Sequence, residues 1–394
     1  MMLFKNTHKK HGLALAVASM MAAPWALAAD VSISGFLSVG GGMVDEDYPA
    51  DALGETPPGY KGFEEDFTFD RNLLGLQVTG QVSEKISATA QLIARSGNDY
   101  EVDAEWAYLT WQASDNGKVR AGRLRTPLYM YSDYLDVGYS YPWISAPNEV
   151  YYLPFNNVDG VDYYVTAPLG SFDTSFQAYF GSYEADFAFE DGTEGFASLR
   201  NQMGVAATIG KDWWNLRVAY HEAELTVDVF DPTLNGFLAT LNASESTKPW
   251  ADRVSVNEDK GSFAQIGLNI DTGMFVAAAE HVEFEVKDTM LAKNVRDYVM
   301  VGLRFGDFLF HVTGSQADDE IANLSEGIPV SPQTAPIIGA LDAIAAARDV
   351  DREVISFGTR WDVASGTALK FQVDDVDDAK GEQKVYSVAL QAVF

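Results

Sequence analysis

From Val385 to Phe394 the chain alternates without a slip: Tyr386, Val388, Leu390, Ala392 and Phe394 share one face, while Val385, Ser387, Ala389, Gln391 and Val393 share the other. Period two is the mark of an extended strand, because successive side chains of a strand point to opposite sides. A run of about ten residues, apolar on one side and tolerant of small or polar groups on the other, is what a strand needs to cross a bilayer as part of a closed sheet. The same alternation also suits a half-buried strand of a water-soluble sandwich, so the decision falls to the remainder of the chain.

Residues 1–28 have the three-part build of a secretory signal: a basic start with Lys5, Lys9 and Lys10, an apolar run from Leu13 to Ala23, then Pro24 and the small-residue site Ala26-Leu27-Ala28. At about eleven residues the apolar run falls short of the ~20 that a membrane helix needs, so we expect cleavage after Ala28 and a single mature unit over 29–394. No later stretch approaches a membrane helix. A mature chain that lives in a membrane therefore does so as strands, since only helices and closed barrels satisfy every backbone group in lipid. The chain has no cysteine, which removes disulfides, thiol nucleophiles and cysteine-ligated metals. Its formal net charge of −30 argues against nucleic acid as a partner, because phosphate wants the opposite sign.

Alternating segments recur at 31–43, 67–80, 86–96, 104–113, 118–125, 157–167, 172–183, 201–211, 213–224, 262–271, 274–287, 295–305, 307–317, 353–363, 367–375 and 384–394. Seven connections between them are tight and carry turn residues: Ser83-Glu84, 114–117, 167–170, Lys211-Asp212, Thr272-Gly273, Gly306-Asp307 and 364–366. The others are mostly longer, and the two kinds alternate along the chain. The expected fold is therefore all-β: a transmembrane up-and-down antiparallel barrel of about sixteen strands, with short turns at one rim and long loops at the other.

Residue parity sets the phase of the strands. Trp214, Leu216, Val218 and Tyr220 oppose Asn215, Arg217, Ala219 and His221, and Val299, Val301, Leu303 and Phe305 oppose Tyr298, Gly302 and Arg304. Likewise Phe357 and Trp361 oppose Arg360, and Leu369, Phe371 and Val373 oppose Lys370 and Gln372. A cation facing lipid near the midplane costs ~2–4 kcal/mol, so Arg217, Arg304, Arg360 and Lys370 should face the lumen. Glu280 shares parity with Val276, Ala278 and Val282 and fits neither face. Residues 336–348, with Pro336 at a first helical position, predict a short helix over the mouth. Residues 225–260 suit a hairpin or coil equally.

The third long connection, 126–156, is rich in aromatics, with Tyr129, Tyr131, Tyr134, Tyr139, Tyr141, Trp143, Tyr151 and Tyr152, and places Asp133, Asp136 and Glu149 among them. With its place after the fifth strand, the leader, the final aromatic strand and the alternation of turns and loops, the chain resembles the general bacterial porins over essentially its whole mature length. The resemblance implies that this loop folds into the barrel and that its carboxylates face arginines across the constriction. Here the candidate cations are Arg71, Arg95, Arg120 and Arg123, read onto strands two, three and five. The Pro-Glu-Phe-Gly-Gly signature of the family's third loop is absent, which leaves the architecture standing and the constriction residues and solute range open. The resemblance also implies passive diffusion of small hydrophilic solutes through a water-filled lumen in the outer membrane, a homotrimer, and an assembly machinery that reads the final strand, here Tyr386, Val388, Leu390 and Phe394. Lipopolysaccharide is an expected neighbour, bridged to acidic outer loops by divalent cations.

Two other readings stay open: a channel selective for anionic solutes or sugars, and a plugged receptor barrel that conducts nothing. Asp374, Asp375, Asp377 and Asp378 lack EF-hand spacing and read as an acidic loop tip, so no metal site or cofactor is expected. No enzyme is expected either, since His221, His281 and His311 sit in no nucleophile motif.

Overall fold

The computed structural model describes residues 30–49, 56–57, 59–188, 193–291, 293–348 and 350–394; the expected leader lies outside them. The described residues form sixteen antiparallel strands that close on themselves, each bonded to its sequence neighbours and β1 to β16. In order they are β1 Val31–Val44, β2 Leu73–Ser83, β3 Ile86–Arg95, β4 Val102–Gln112, β5 Gly117–Arg125, β6 Asn157–Leu169, β7 Phe172–Ala188 and β8 Glu194–Lys211. There follow β9 Trp214–Val229, β10 Val256–Asp271, β11 Phe275–Val286, β12 Lys293–Phe305, β13 Phe308–Glu320, β14 Asp351–Ala364, β15 Thr367–Asp378 and β16 Gly381–Val393. Among the described residues no helix is long and apolar enough to cross a membrane.

The seam runs from Phe36 opposite Val393 to Val44 opposite Val385. Phe394 extends it by exchanging both backbone hydrogen bonds with Gly35, at 2.8 and 2.9 Å. Seven tight turns stand where turn chemistry placed them. The largest boundary shifts are at the long-loop rim: β2 starts at Leu73 rather than 67, β8 at Glu194 rather than 201 and β10 at Val256 rather than 262. Both rims are irregular where strands project past their neighbours, and there periodicity no longer marks the end of pairing.

Parity holds through the wall. Val299, Val301, Leu303, Phe305, Phe357, Phe371, Tyr386 and Leu390 are exposed on the outer surface, while Tyr298, Met300, Arg217 and Lys370 are buried inside. This phase has a measurable consequence. Leu216→Arg places a cation on the lipid side two residues into β9 from the short-turn rim, where the cost is less than the ~2–4 kcal/mol of the midplane, and is expected to reduce the heat-modifiable barrel in outer membranes. Arg217→Leu is expected to insert normally, with its effects confined to the third loop, whose Pro127 and Leu128 carbonyls it holds, and to conduction. Equal insertion defects in the two variants would overturn the assigned phase.

Two long loops carry helices. Of residues 225–260, the ends 225–229 and 256–260 extend β9 and β10 as a hairpin, while 230–255 between them hold α1 Pro232–Asn242 and α2 Lys248–Val254; 321–350 hold α3 Ala335–Ala346, where a helix is predicted. Asp231 caps α1 by accepting from the Thr233 amide at 2.7 Å, and Pro232 pre-sets its first turn. Leu234, Val254, Leu324, Leu341 and Ala345 bury one another with Leu225, Val229 and Met290 in an apolar cluster at the mouth. That cluster gives helices too short to stand alone in water a reason to form.

The acidic run is not a loop tip. It lies within β15, where alternation sends Asp374 inward to Lys61 at 3.2 Å and Asp375 outward to Lys384 at 3.0 Å. Asp378 meets Arg352 at 3.2 Å, so these carboxylates are spread over both faces. No cluster of metal-ligating side chains occurs among the described residues.

Candidate functional site

The inner faces of β11 and β12 carry an apolar patch that a wall bathed in water would not have: Val276, Ala278, Val282, Tyr298 and Met300, joined by Leu309 of β13, point inward and are buried. The third loop, 126–156, covers them with Leu128, Tyr129, Tyr131, Tyr141, Trp143, Val150 and Leu153. Its tyrosines are thus packing residues. Tyr129 and Trp143 are each 1% exposed, so neither can stack on a passing sugar. Rings meet rings at the centre, Tyr131 with Trp143 at 5.9 Å and Trp143 with Tyr298 at 5.4 Å between centroids.

Polar clamps fix the loop at points along its course. Glu280, which sequence parity left unplaced, is an inward carboxylate beneath the loop. It accepts from the Met130 amide at 2.8 Å, from Gln265 at 3.0 Å and from the Tyr151 hydroxyl. Burial, reinforced by the Glu280 charge, pushes the Tyr151 phenol well above its usual range and keeps it a donor. Lys370 is wholly buried and donates to the carbonyls of Gly138, Tyr141 and Trp143 at 2.7, 2.7 and 2.6 Å. Arg360 donates to Tyr139 and Tyr141 carbonyls at 2.5 and 3.2 Å, and Arg217 to those of Pro127 and Leu128. The Trp143 indole donates to Thr313 at 2.7 Å, and Gln391 to the Ile144 carbonyl at 2.8 Å. At Gly138 a Cβ would lie 2.1 Å from the Gln391 side-chain amide, so a larger residue there would have to push that amide away from the Ile144 carbonyl it donates to.

Of the residues expected at a constriction, the structure brings Arg95 and Asp136 into direct contact at 2.8 Å rather than across a gap. Arg125 joins Asp136 from the other side, and Glu105 bridges Arg95 and Arg125 at 3.3 and 3.1 Å. Burial works against the Asp136 charge, but Arg125 and Arg95 outweigh it and hold the carboxyl below the usual aspartate range. Glu149 is buried, accepting from Tyr60 of the first loop at 2.7 Å and from Ser315 at 2.8 Å. Arg120 is neutralised on the wall by Asp162, at 3.0 and 3.1 Å from its Nε, with Gln177 donating to the same carboxylate at 2.7 Å.

Three candidates sit elsewhere. Arg71 is in the first loop, not on strand two, with its guanidinium 4.6 Å from the Phe63 ring centre. Arg123 pairs with Asp159 directly opposite in the ladder, at 2.8 Å, and both are exposed. Arg304 keeps the inward parity but lies at the short-turn rim, held by Asp271 at 3.1 Å. Asp133 alone of the loop carboxylates is exposed, and it lines a cavity of about 690 Å³ beneath the loop with Tyr134, Tyr164, Gln177, Lys211 and Arg217.

Sequence reasoning missed Glu105, Arg125 and Asp162. The available signal was a carboxylate or guanidinium at the loop's hinge and within strand parity, but nothing in one sequence says which of many such charges will meet. Across β2 and β3 the inner wall is polar: Thr79 meets Thr89 at 3.1 Å and Gln91 meets Gln77 at 3.0 Å, next to the Arg120, Asp162 and Gln177 group, and Thr89, Gln91, Asp162 and Gln177 are themselves buried. The barrel thus has a packed side under the loop and a hydrophilic side facing it.

Solved structures with the same architecture include the anion-selective porin of Comamonas acidovorans, with a TM-score of 0.55 at 12% identity over 93% of this chain and 100% of that one. OmpF of Salmonella typhi, solved in complex with daunomycin, gives a TM-score of 0.54 at 12% identity over 92% and 97%. OmpT of Vibrio cholerae in its trimer form gives 0.55 at 11% identity over 93% and 100%. A search of curated proteins finds no match. The profile of the Gram-negative porins matches residues 14–394. A closed sixteen-stranded barrel with an inward third loop and a polar lumen is the build of that group, and the chain belongs to the Gram-negative porin family, as an outer-membrane channel for passive diffusion.

Proposed function

We propose that this porin is a general diffusion pore whose passage runs along the β2–β8 side of the lumen, with the third loop as a fixed wall rather than a plug. The observation that carries this is where the loop is held: Glu280, Thr313, Arg360, Lys370 and Gln391 fix it along β11–β16, while on the β2–β8 side Asp136 reaches Arg95 and Arg125 close to the loop's own root at β5. Asp136 and Glu149 then serve to seat the loop, and Asp133 is the carboxylate that meets passing ions. Asp133→Asn is expected to move the reversal potential in a salt gradient toward anions, and the shift should shrink at molar salt, where the Debye length falls to about 3 Å. A planar-bilayer recording checks this. No shift at low salt would remove Asp133 from the passage, and absence of any conductance would favour a plugged barrel.

A non-enzymatic role is supported by the histidines: His221 meets the Tyr179 hydroxyl at 3.0 Å and His281 meets Asp297 at 2.7 Å, while neither His311 nitrogen has a hydrogen-bond partner in the protein. None is poised on a serine. A homotrimer is proposed by analogy with the trimer form of the Vibrio protein. Exposed acids at the loop-side rim, Asp318, Glu320, Glu353 and Asp377, are the groups through which divalent cations would bridge to lipopolysaccharide. Delivery by a barrel assembly machinery that reads the final strand belongs to the same proposal.

A further inference from the structure

Above the third loop, toward the mouth, lies a second cavity of about 510 Å³, within the range of about 300–1,000 Å³ typical of small-molecule sites. Tyr151, Tyr152, Phe155 and Phe284 give it aromatic walls, Arg296 lines it from β12, and Ala347 closes it from the loop that carries α3. Arg296 is 3% exposed. Its Nη2 is 2.9 Å from Asp319 and its guanidinium lies 4.8 Å from the Tyr152 ring centre, but its Nε and Nη1 meet no acceptor in the protein. A buried charged donor without an acceptor favours any ligand that supplies one, and the gain is larger away from bulk water.

We propose that this vestibule is a binding subsite for aromatic monocarboxylates, the carboxylate accepting from the free donors of Arg296 and the ring lying among Tyr152, Phe155 and Phe284. Two features choose this class. The surrounding rings suit a flat apolar body, which acetate or chloride lacks. The charged lining is balanced, Arg296, Arg348, Arg352 and Lys380 against Glu149, Asp319, Asp351 and Asp378, so there is no surplus of positive charge for a doubly charged anion such as phosphate, and a single carboxylate matches the free donors of Arg296. The subsite goes beyond the diffusion pore and needs only that the vestibule admit solute.

The test is equilibrium binding of benzoate to the mature protein folded in detergent, with benzamide as a ring without charge and acetate as a charge without a ring. Benzoate should bind saturably, and benzamide and acetate about tenfold more weakly or less. Two variants probe the geometry. Arg296→Gln with Asp319→Asn removes the donor and its partner together and strands no buried charge, while Ala347→Trp fills the cavity and leaves the Arg296–Asp319 pair in place. Each should weaken benzoate by about tenfold or more in protein that shows the mobility of folded barrel. The proposal is overturned by absence of saturable benzoate binding, by equal affinity for benzoate and either control, or by parental affinity in Ala347→Trp. Salt conductance of the same preparations reports the pore separately, so lost binding in conducting protein counts against the subsite alone.

Discussion

Deleting Phe394 is expected to leave little or no heat-modifiable barrel in the outer membrane, with the chain retained in the periplasm or degraded. Phe394 exchanges two backbone hydrogen bonds with Gly35, and its ring lies so close over that glycine that a Cβ there would be 2.5 Å from it. Removing the residue takes away the end pair of the seam, leaving the pairs from Phe36–Val393 to Val44–Val385, and leaves the Gly35 amide and carbonyl unpaired at the short-turn rim of the membrane. Each such group costs several kcal/mol in lipid, against a net stability of only about 5–15 kcal/mol for an ordinary fold. Phe394→Leu keeps both backbone bonds and should assemble in part. Normal amounts of folded barrel after the deletion would show that the seam closes without its last residue.

Lys370→Met is expected to release the middle of the third loop. The ammonium is buried and donates to the carbonyls of Gly138, Tyr141 and Trp143, of which Tyr141 accepts from Arg360 as well. Hydrogen bonds to a charged group are worth about 1.5–3 kcal/mol each but do not add, and the desolvation of the lysine is recovered on its removal. A net loss of about 2–4 kcal/mol follows. Single-channel conductance should rise and become noisy, and the thermal transition of the folded protein should fall. Lys384→Met, which removes an exposed ion pair with Asp375 on the outer surface, is the matched control and should change neither. If Lys370→Met behaves as that control does, the loop is held by its apolar underside and the lysine clamp is incidental.

The barrel was legible because lipid leaves a chain few options. Period-two alternation reports which side chains face hydrocarbon, tight turns report where the chain reverses, and the penalty on lipid-facing cations sets the phase of every strand that carries one. That argument alone places Arg217, Arg360 and Lys370 inward; in the structure Arg217 and Lys370 are buried and Arg360 donates to the Tyr139 and Tyr141 carbonyls of the third loop. What they do there was not legible. Parity says that a lysine faces the lumen, and it cannot say that three loop carbonyls from 232 to 227 residues away will surround it. Glu280 makes the point most clearly, since it looked misplaced among Val276, Ala278 and Val282 until the loop that covers all four was in view.

The sequence by itself determined the number of strands, their direction, their inward and outward faces and the rim at which the long loops stand, because these follow from local periodicity and from the solvent on each side. Only the tertiary structure decided which charges touch, as with Asp136 held between Arg95 and Arg125, and which half of the lumen is packed rather than open. Those contacts join residues far apart in the chain, chosen among many near-equivalent charges by the path one loop takes across the barrel. That path is set by packing and by buried hydrogen bonds summed over the whole wall, and no window of sequence contains that sum.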